Sequence, residues 1–232
     1  MRINVLQHTP NEGPGAIQAW SQAHGHQMFI YHPYQFGQLP TAAETDLLII
    51  LGGPMSPNDD LDWIKAERVL IKALMAANKP IFGACYGAQQ ISKALGYSVR
   101  KSPAKEVGWA PVYRQSTVIP GIPAKLTVLH WHEELFEVPA EATLLFSSDR
   151  VKNQGFVMGH RIVGLQFHFE PQADDVREIV VNDGEYTTGS VLGQTPQMIL
   201  ATPVPAENRA MMFKILDYIT AVSYTHLTLP TN

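Results

Sequence analysis

The sequence predicts an α/β fold with a doubly wound, mostly parallel β-sheet, helices on both faces and a β-rich second half. In the first hundred residues, short strand patterns alternate with helical patterns, which is typical of a parallel sheet covered on both faces. The strand pattern at residues 46–51 is apolar without a break from Leu47 onward, as expected for a strand buried on both faces. After residue 107, shorter strand patterns predominate.

The first half is predicted to contain four strands and three helices. A Gly52-Gly53-Pro54 turn closes the third strand, and Asn58 or Asp59 is expected to cap the helix that follows. The predicted strands are residues 3–8, 27–32, 46–51 and 80–84, and the predicted helices are residues 16–24, 61–78 and 87–95.

The second half is predicted to contain five strands followed by two helices, which a loop at residues 183–205 separates. The 232 residues suit one large α/β domain, and we expect that domain to span residues 1–222. Residues 223–232 add no periodicity to the preceding helix and are interpreted as a tail, for which a non-native origin is one interpretation. The predicted strands are residues 107–113, 126–130, 143–147, 156–158 and 162–167, and the helices are residues 173–181 and 206–222.

Composition and charge argue against several classes of protein. The formal net charge is −4 and no run of Lys or Arg occurs, so binding to nucleic acid or to an anionic membrane surface is not expected. The apolar stretch at the N-terminus is too short for a signal peptide, and a single cysteine cannot form an internal disulfide. These features predict a water-soluble cytoplasmic protein.

The single cysteine lies at the junction of a predicted strand and a predicted helix. In Gly83-Ala84-Cys85-Tyr86-Gly87 it is flanked by glycines at the spacing of a nucleophile elbow, where strand and helix must pack closely. The N-terminus of the helix favours a thiolate and offers backbone N–H groups to an oxyanion. A buried structural cysteine is the alternative, but position favours Cys85 as the nucleophile.

A thiolate that attacks an amide also needs an acid for the leaving nitrogen. His168 and Glu170 follow an apolar strand pattern and are two residues apart, so Glu170 can orient the imidazole toward the sulfur. Backbone N–H groups of Tyr86 and of the Gly52-Gly53 turn are candidate oxyanion donors. The sequence therefore predicts a Cys-His-Glu amide hydrolase.

Three motifs in this order resemble the class I, or triad, glutamine amidotransferases. They are Gly-Gly-Pro at residues 52–54, Gly-x-Cys-x-Gly-x-Gln ending at Gln89, and Gln-Phe-His-x-Glu ending at Glu170. The resemblance implies a flavodoxin-like fold, a Cys85-His168-Glu170 triad and oxyanion donors from Gly53 and Tyr86. It also implies that substrate is held by further residues, namely Gly52, Gln89, Gln154, Gly155 and Phe156.

Within that family, residues 107–112 and 131–136 resemble the stand-alone group that is similar to the amidotransferase domain of GMP synthase. Phe169 departs from the Pro that many members carry before the Glu. No synthetase domain follows, so the chain is expected either to pass ammonia to a partner synthetase or to hydrolyse γ-glutamyl peptides. A catalytically silent binding module is a third alternative.

We expect no cofactor and no metal, because the pairs His24/His26 and His130/His132 have no acidic neighbour at a recognisable metal-ligand spacing.

Overall fold

The computed structural model describes residues 1–221, in which nine strands form one β-sheet. Val222 and the predicted tail at residues 223–232 lie outside the described residues. The strands are β1 (Arg2–Leu6), β2 (Gln27–Tyr31), β3 (Leu47–Ile50), β4 (Ile81–Ala84), β5 (Val99–Arg114), β6 (Lys125–Phe136), β7 (Thr143–Ser147), β8 (Gly155–Met158) and β9 (Ile162–Leu165). The helices are α1 (Gly15–Ala23), α2 (Pro33–Phe36), α3 (Asp62–Ala76), α4 (Tyr86–Ala94), α5 (Ala173–Asp183), α6 (Pro196–Ala201) and α7 (Ala206–Thr220).

The sheet order is β2-β1-β3-β4-β9-β8-β7-β5-β6, and the first five strands in this order are parallel. The side chains of β3 alternate between the two faces, which explains its unbroken apolar run. Leu47 and Ile49 pack with residues of α1 and α7, whereas Leu48 and Ile50 pack with residues of α3 and α4. This arrangement confirms the predicted doubly wound α/β fold.

The β-rich second half is confirmed, but its two longest strands extend well beyond the predicted segments. β5 and β6 form a long antiparallel hairpin, with a register shift between Lys101 and Glu106. The predicted segments cover only the part of the hairpin next to its turn, whereas backbone pairing continues to the open end through charged residues such as Arg100, Lys101 and Glu134. A smaller apolar cluster lies between this hairpin and the helices α5 and α6.

Two local predictions differ from the structure. Asn58 and Asp59 do not cap α3, because the Asn58 side chain donates to the carbonyl of Val99 at 3.0 Å and Asp59 accepts from the Ser56 N–H at 3.0 Å. Leu61 takes the capping position without a side-chain hydrogen bond. The loop predicted at residues 183–205 contains α6 and a 3-10 turn at Gly184–Thr187, both too short to produce a helical apolar period.

The described residues contain no helix that is both long and apolar enough to cross a lipid bilayer.

The predicted strand at residues 162–167 ends at Leu165, so the residues of the Gln-Phe-His-x-Glu motif leave the sheet. His168 keeps only an isolated antiparallel bridge to Leu129 of β6. The loop after β9 thus lies beside β6, at the carboxyl end of the parallel strands where open α/β sheets bind ligands.

Candidate active site

Cys85 occupies a strained turn between β4 and α4. Its backbone angles are φ 50° and ψ −109°, a left-handed φ that a non-glycine residue rarely adopts. Its N–H donates to the carbonyl of Leu165 at 2.7 Å, which ties the turn to β9. Such strain costs about 1–3 kcal/mol and is typical of functional sites, where it exposes a side chain in a defined direction.

The glycines on either side of Cys85 are required by close packing of strand and helix. A Cβ on Gly83 would lie 2.5 Å from the carbonyl carbon of Gly87, and a Cβ on Gly87 would lie 2.0 Å from the carbonyl oxygen of Ile50. Both contacts are with backbone atoms, which cannot move aside as a flexible side chain can. Both positions therefore require glycine for steric reasons, as expected for an elbow motif.

We expect Gly87→Ala to lower the free energy of unfolding by about 2 kcal/mol, because the added methyl group overpacks the contact between α4 and β3. Gly13→Ala is the matched control, since the nearest atom to its Cβ would be the Asp175 carboxylate at 3.7 Å. Urea unfolding of the two variants measures the difference. Equal stability of both variants would contradict the steric argument.

His168 and Glu170 form a short buried pair. His168 Nδ1 lies 2.5 Å from Glu170 Oε1, and Glu170 Oε2 accepts from the Phe169 N–H at 3.1 Å. Burial alone lowers the pKa of His168, but the charge of Glu170 and hydrogen bonds with Cys85 and Glu170 outweigh it and hold that pKa well above the usual value. The imidazolium form, which can donate a proton, is therefore favoured.

Cys85 is 8% exposed, and two other groups contact its sulfur. The thiol is 3.8 Å from the carbonyl oxygen of Trp131, and the Gln166 amide donates to it at 3.6 Å. Gln89 in turn donates to the Gln166 side-chain oxygen at 3.2 Å. Gln166 begins the Gln-Phe-His-x-Glu motif, yet no pattern in the sequence predicts a role for it, and only the fold brings its amide to the candidate nucleophile.

A cavity of about 610 Å³ opens beside Cys85. Gly53 and Gln89 line it, as the sequence predicts for residues near the substrate, and acidic groups outnumber basic ones along its wall. The end of α5 and the 3-10 turn that follows it form part of the wall, through Asp183 and Tyr186 respectively. The lining residues are Thr9, Asn11, Glu12, Gly53, Pro54, Met55, Ser56, Asp59, Cys85, Gln89, Lys101, Trp131, His132, Glu133, Glu134, Asn182, Asp183 and Tyr186.

The two candidate oxyanion donors lie on adjacent turns. Tyr86 begins α4, so its backbone N–H has no acceptor from a preceding helical turn, and Gly53 follows β3 at the cavity wall. A Cβ on Gly53 would lie 2.7 Å from the Cβ of His8, which brings this turn against a buried histidine. The Tyr86 side chain is fully buried, so only its main chain is available as a donor.

A buried carboxylate connects these two turns. Glu67 Oε1 lies 2.6 Å from His8 Nε2, and Glu67 Oε2 accepts from the Tyr86 hydroxyl at 2.8 Å. The Gln90 amide also donates to Glu67 Oε2, at 2.7 Å. The Glu67 carboxylate thus contacts both His8, which packs on Gly53, and Tyr86, which follows Cys85. The helical pattern of α3 contained no signal for this role, because a polar residue on the buried face of a helix is recognised only once its partners are known.

Glu12 is a second residue that the sequence did not single out. A Cβ on Gly52 would lie 2.1 Å from Glu12 Oε2 and 3.1 Å from His168 Cε1, so the carboxyl group and the imidazole flank the same glycine. Burial raises the pKa of Glu12, partly opposed by the charge of His168. Gly52 therefore leaves room for Glu12 and does not itself line the cavity.

Gln154, Gly155 and Phe156 are, like Gly52, absent from the cavity wall. Gln154 is buried and donates to Glu106 at 2.6 Å, Gly155 begins β8, and Phe156 packs against Phe136 with ring centroids 5.0 Å apart. None of the three is among the lining residues. Backbone pairing of β8 with β9 buries the Phe156 side chain, and a role of these residues in holding substrate stays a prediction.

The two histidine pairs have different surroundings. His24 is exposed and lies 3.4 Å from Asp217, which is the solvated environment that the sequence suggested. Glu106 on β5 pairs with His132 across the hairpin, so the fold brings to His130 and His132 an acidic residue that their spacing in the sequence does not indicate. Sequence spacing cannot reveal this contact, since it depends on the register of two strands.

Comparison with known proteins adds three relatives. A profile of class-I glutamine amidotransferases matches residues 22–182. The glutamine amidotransferase-like protein YfeJ of Salmonella typhimurium is 30% identical over 191 residues, which cover 78% of this chain and 80% of YfeJ. One subunit of the glutamine-hydrolysing GMP synthase of Sulfolobus acidocaldarius is 33% identical over 55% of this chain and 68% of its own length. Gamma-glutamyl peptidase 4 of Arabidopsis thaliana is 28% identical over 57% of this chain and 56% of its own length.

The fold has a close counterpart among solved structures. The crystal structure of a glutamine amidotransferase from Thermotoga maritima superimposes with a TM-score of 0.87 at 26% sequence identity. The match covers 96% of this chain and 99% of that protein, so it includes both the parallel and the antiparallel part of the sheet.

Proposed function

This chain belongs to the class-I glutamine amidotransferase family, and from that membership we propose that it hydrolyses the side-chain amide of glutamine through a γ-glutamyl thioester on Cys85. The observation that carries the proposal is the meeting of two distant parts of the chain, the turn at Cys85 and the His168-Glu170 pair. The Gln166 amide, two residues before His168, donates to the Cys85 sulfur at 3.6 Å, and His168 Nδ1 lies 2.5 Å from Glu170 Oε1, which leaves Nε2 of the imidazole for the thiol. This is the arrangement of a nucleophile, an acid-base group and an orienting carboxylate.

In the proposed reaction, the thiolate of Cys85 attacks the amide carbon of the substrate. The N–H groups of Gly53 and Tyr86 stabilise the negative charge that develops on the oxygen. His168 donates a proton to the leaving nitrogen, so that the carbon–nitrogen bond breaks and ammonia departs. His168 then takes a proton from water, whose oxygen attacks the thioester and releases glutamate and the thiol.

Incubation of the purified chain with glutamine, followed by measurement of ammonia and glutamate, tests the proposal. An electrophilic glutamine analogue provides a second readout that does not depend on turnover. Since Cys85 is the only cysteine, a mass increase of one label per chain would place the reaction on that residue. Absence of both turnover and labelling would support the silent binding module instead.

A second candidate activity is cleavage of γ-glutamyl peptides, and the size of the cavity favours it. A volume of about 610 Å³ lies within the range of about 300–1,000 Å³ that accommodates drug-sized ligands, so it offers room beyond a single glutamine. The chemistry is the same, except that the leaving group is an amine and not ammonia. The similarity to a γ-glutamyl peptidase of Arabidopsis thaliana also supports this candidate.

The ratio of kcat/KM for γ-glutamyl dipeptides to that for glutamine separates the two activities. A strong preference for glutamine would exclude the peptidase, and a strong preference for dipeptides would exclude a main role as an ammonia source. Similarity to one component of a GMP synthase supports a synthetase partner that accepts ammonia, and stimulation of glutaminase turnover by that partner would be the expected sign.

The raised pKa of His168 leads to a prediction about pH dependence. The imidazolium must donate a proton, so kcat/KM should fall as the pH rises through the pKa of His168. Glu170→Gln removes the charge that raises this pKa, and we therefore expect the alkaline limb of the kcat/KM profile to move to lower pH. The exposed Glu178→Gln is the control. An alkaline limb that stays in place in Glu170→Gln would show that another group controls it.

A further inference from the structure

Glu106, His130 and His132 form a buried cluster in the β5–β6 hairpin. The two histidines are two residues apart on β6 and project to the same face of the sheet. Glu106 Oε2 lies 3.7 Å from His130 Nδ1 and 3.4 Å from His132 Nε2. One side-chain atom from each of the three residues lies within 4.8 Å of the other two.

Hydrogen bonding inside this cluster is incomplete. Both ring nitrogens of His130, Nδ1 of His132 and Oε1 of Gln154 are buried without a partner at hydrogen-bond geometry within the described residues. His130 is 0% exposed and His132 is 2% exposed. Buried polar atoms of folded proteins are nearly always satisfied, so several orphaned atoms around one point require an explanation.

The three side chains are of the types that bind a divalent metal. Glu106 offers carboxylate oxygens, and each histidine offers a ring nitrogen. A carboxylate and neutral imidazoles are the ligands that Zn²⁺ takes in protein sites.

We propose that Glu106, His130 and His132 bind a divalent transition metal, with Zn²⁺ as the best chemical fit. Tetrahedral Zn²⁺ with bonds of about 2.0–2.2 Å requires ligand atoms about 3.3–3.6 Å apart. The measured separations of 3.4 and 3.7 Å from Glu106 need only small side-chain adjustments. The Gln154 amide group, which lies 3.4 Å from His132 Nε2, is positioned to supply an oxygen as a fourth ligand after rotation.

The site has an entry path and a structural consequence. His132 lines the cavity beside Cys85, and we expect a cation to enter the cluster from that side. The neighbouring residues on β6 hold the candidate catalytic groups through their backbone: the Leu129 carbonyl accepts from the His168 N–H at 2.9 Å, and the Trp131 carbonyl contacts the Cys85 thiol. A metal at the cluster would stiffen this strand. The inference does not depend on the proposed reaction.

The metal-free alternative is a contact of 3.4 Å between Glu106 Oε2 and His132 Nε2, with the ring nitrogens of His130 left unsatisfied. A measurement of metal binding to the chain distinguishes the proposed metal site from this metal-free alternative. Because Cys85 and His168 could themselves bind a soft cation, the experiment uses full-length chain carrying Cys85→Ser. This protein is stripped with a chelator, titrated with Zn²⁺ and Co²⁺, and analysed by mass spectrometry of bound metal and by the absorption spectrum of Co²⁺.

We expect one equivalent of metal and a tetrahedral Co²⁺ spectrum without sulfur-to-metal charge transfer. His130→Gln in the same background should weaken binding by at least about 10-fold, whereas the exposed His24→Gln should leave it unchanged. Thermal unfolding adds a second readout, since Zn²⁺ should raise the Tm of the Cys85→Ser protein. If His130→Gln fails to fold, His132→Gln replaces it, and the Cys85→Ser titration still decides. No bound metal in Cys85→Ser, or equal affinity in the His130→Gln protein, would overturn the proposal.

Discussion

Cys85→Ala is expected to lower kcat for glutamine hydrolysis by at least about 10⁴-fold, because no other thiol exists in the chain to form the thioester. The residual rate would come from binding and from oxyanion donors that do not require the sulfur. Initial rates of ammonia release from matched protein preparations measure the effect. Labelling by the electrophilic glutamine analogue should disappear completely in the same variant.

The lower kcat can be attributed to loss of the thiol only if the Cys85→Ala protein folds as the unsubstituted chain does. The substitution removes one sulfur atom at a position that borders a cavity, so a small change in Tm is expected. Cys85→Ser is a second control, since it keeps a hydroxyl group at the same place. Turnover that survives in both variants would refute the assignment of Cys85 as nucleophile and favour a binding role for the fold.

Glu67→Leu is expected to lower the free energy of unfolding by about 4 kcal/mol. The leucine would leave the hydroxyl of Tyr86, the amide of Gln90 and the ring of His8 buried without their shared acceptor. Each unsatisfied buried donor costs about 1–3 kcal/mol. Chemical denaturation measured by tryptophan fluorescence gives the difference from the unsubstituted chain.

Two control variants distinguish the loss of the Glu67 hydrogen bonds from a general effect of replacing a glutamate. Tyr86→Phe removes one of the three hydrogen bonds and should cost about 1–2 kcal/mol, and Glu178→Leu on the exposed face of α5 should cost much less. Because Glu67 joins the turn at Gly53 to the first residue of α4, we also expect slower labelling of Cys85 in folded Tyr86→Phe. A stability of Glu67→Leu equal to that of Glu178→Leu would contradict a role for this network.

The candidate site was predictable to the extent that it lies in contiguous motifs. The elbow around Cys85 and the His168-Glu170 pair each combine side chains that are close in the chain, so their local arrangement follows from a strand end and a turn. Glu12 and Glu67 had no such signal. Their roles depend on helix and loop packing against β3 and α4, which no local pattern encodes.

The residues that line the cavity were less predictable. The resemblance implied that Gln154, Gly155 and Phe156 hold substrate, yet they are not part of the cavity wall. Trp131, Asp183 and Tyr186 line the cavity instead, although α5 and the 3-10 turn after it are distant from the Cys85 motif in sequence. The wall of a cavity is formed by surfaces of several elements, and its composition therefore depends on their relative placement.

The sequence alone determined the alternation of strands and helices, the mostly parallel sheet and the position of the single cysteine at a strand-to-helix turn. Hydrophobic periodicity and glycine spacing encode these features because they are local requirements of burial and close packing. Only the tertiary structure decided which residues surround the sulfur, which carboxylate joins the turns at Gly53 and Tyr86, and that Glu106 meets His130 and His132. Those contacts depend on the register of paired strands and on how the helices pack, and both are properties of the whole folded chain.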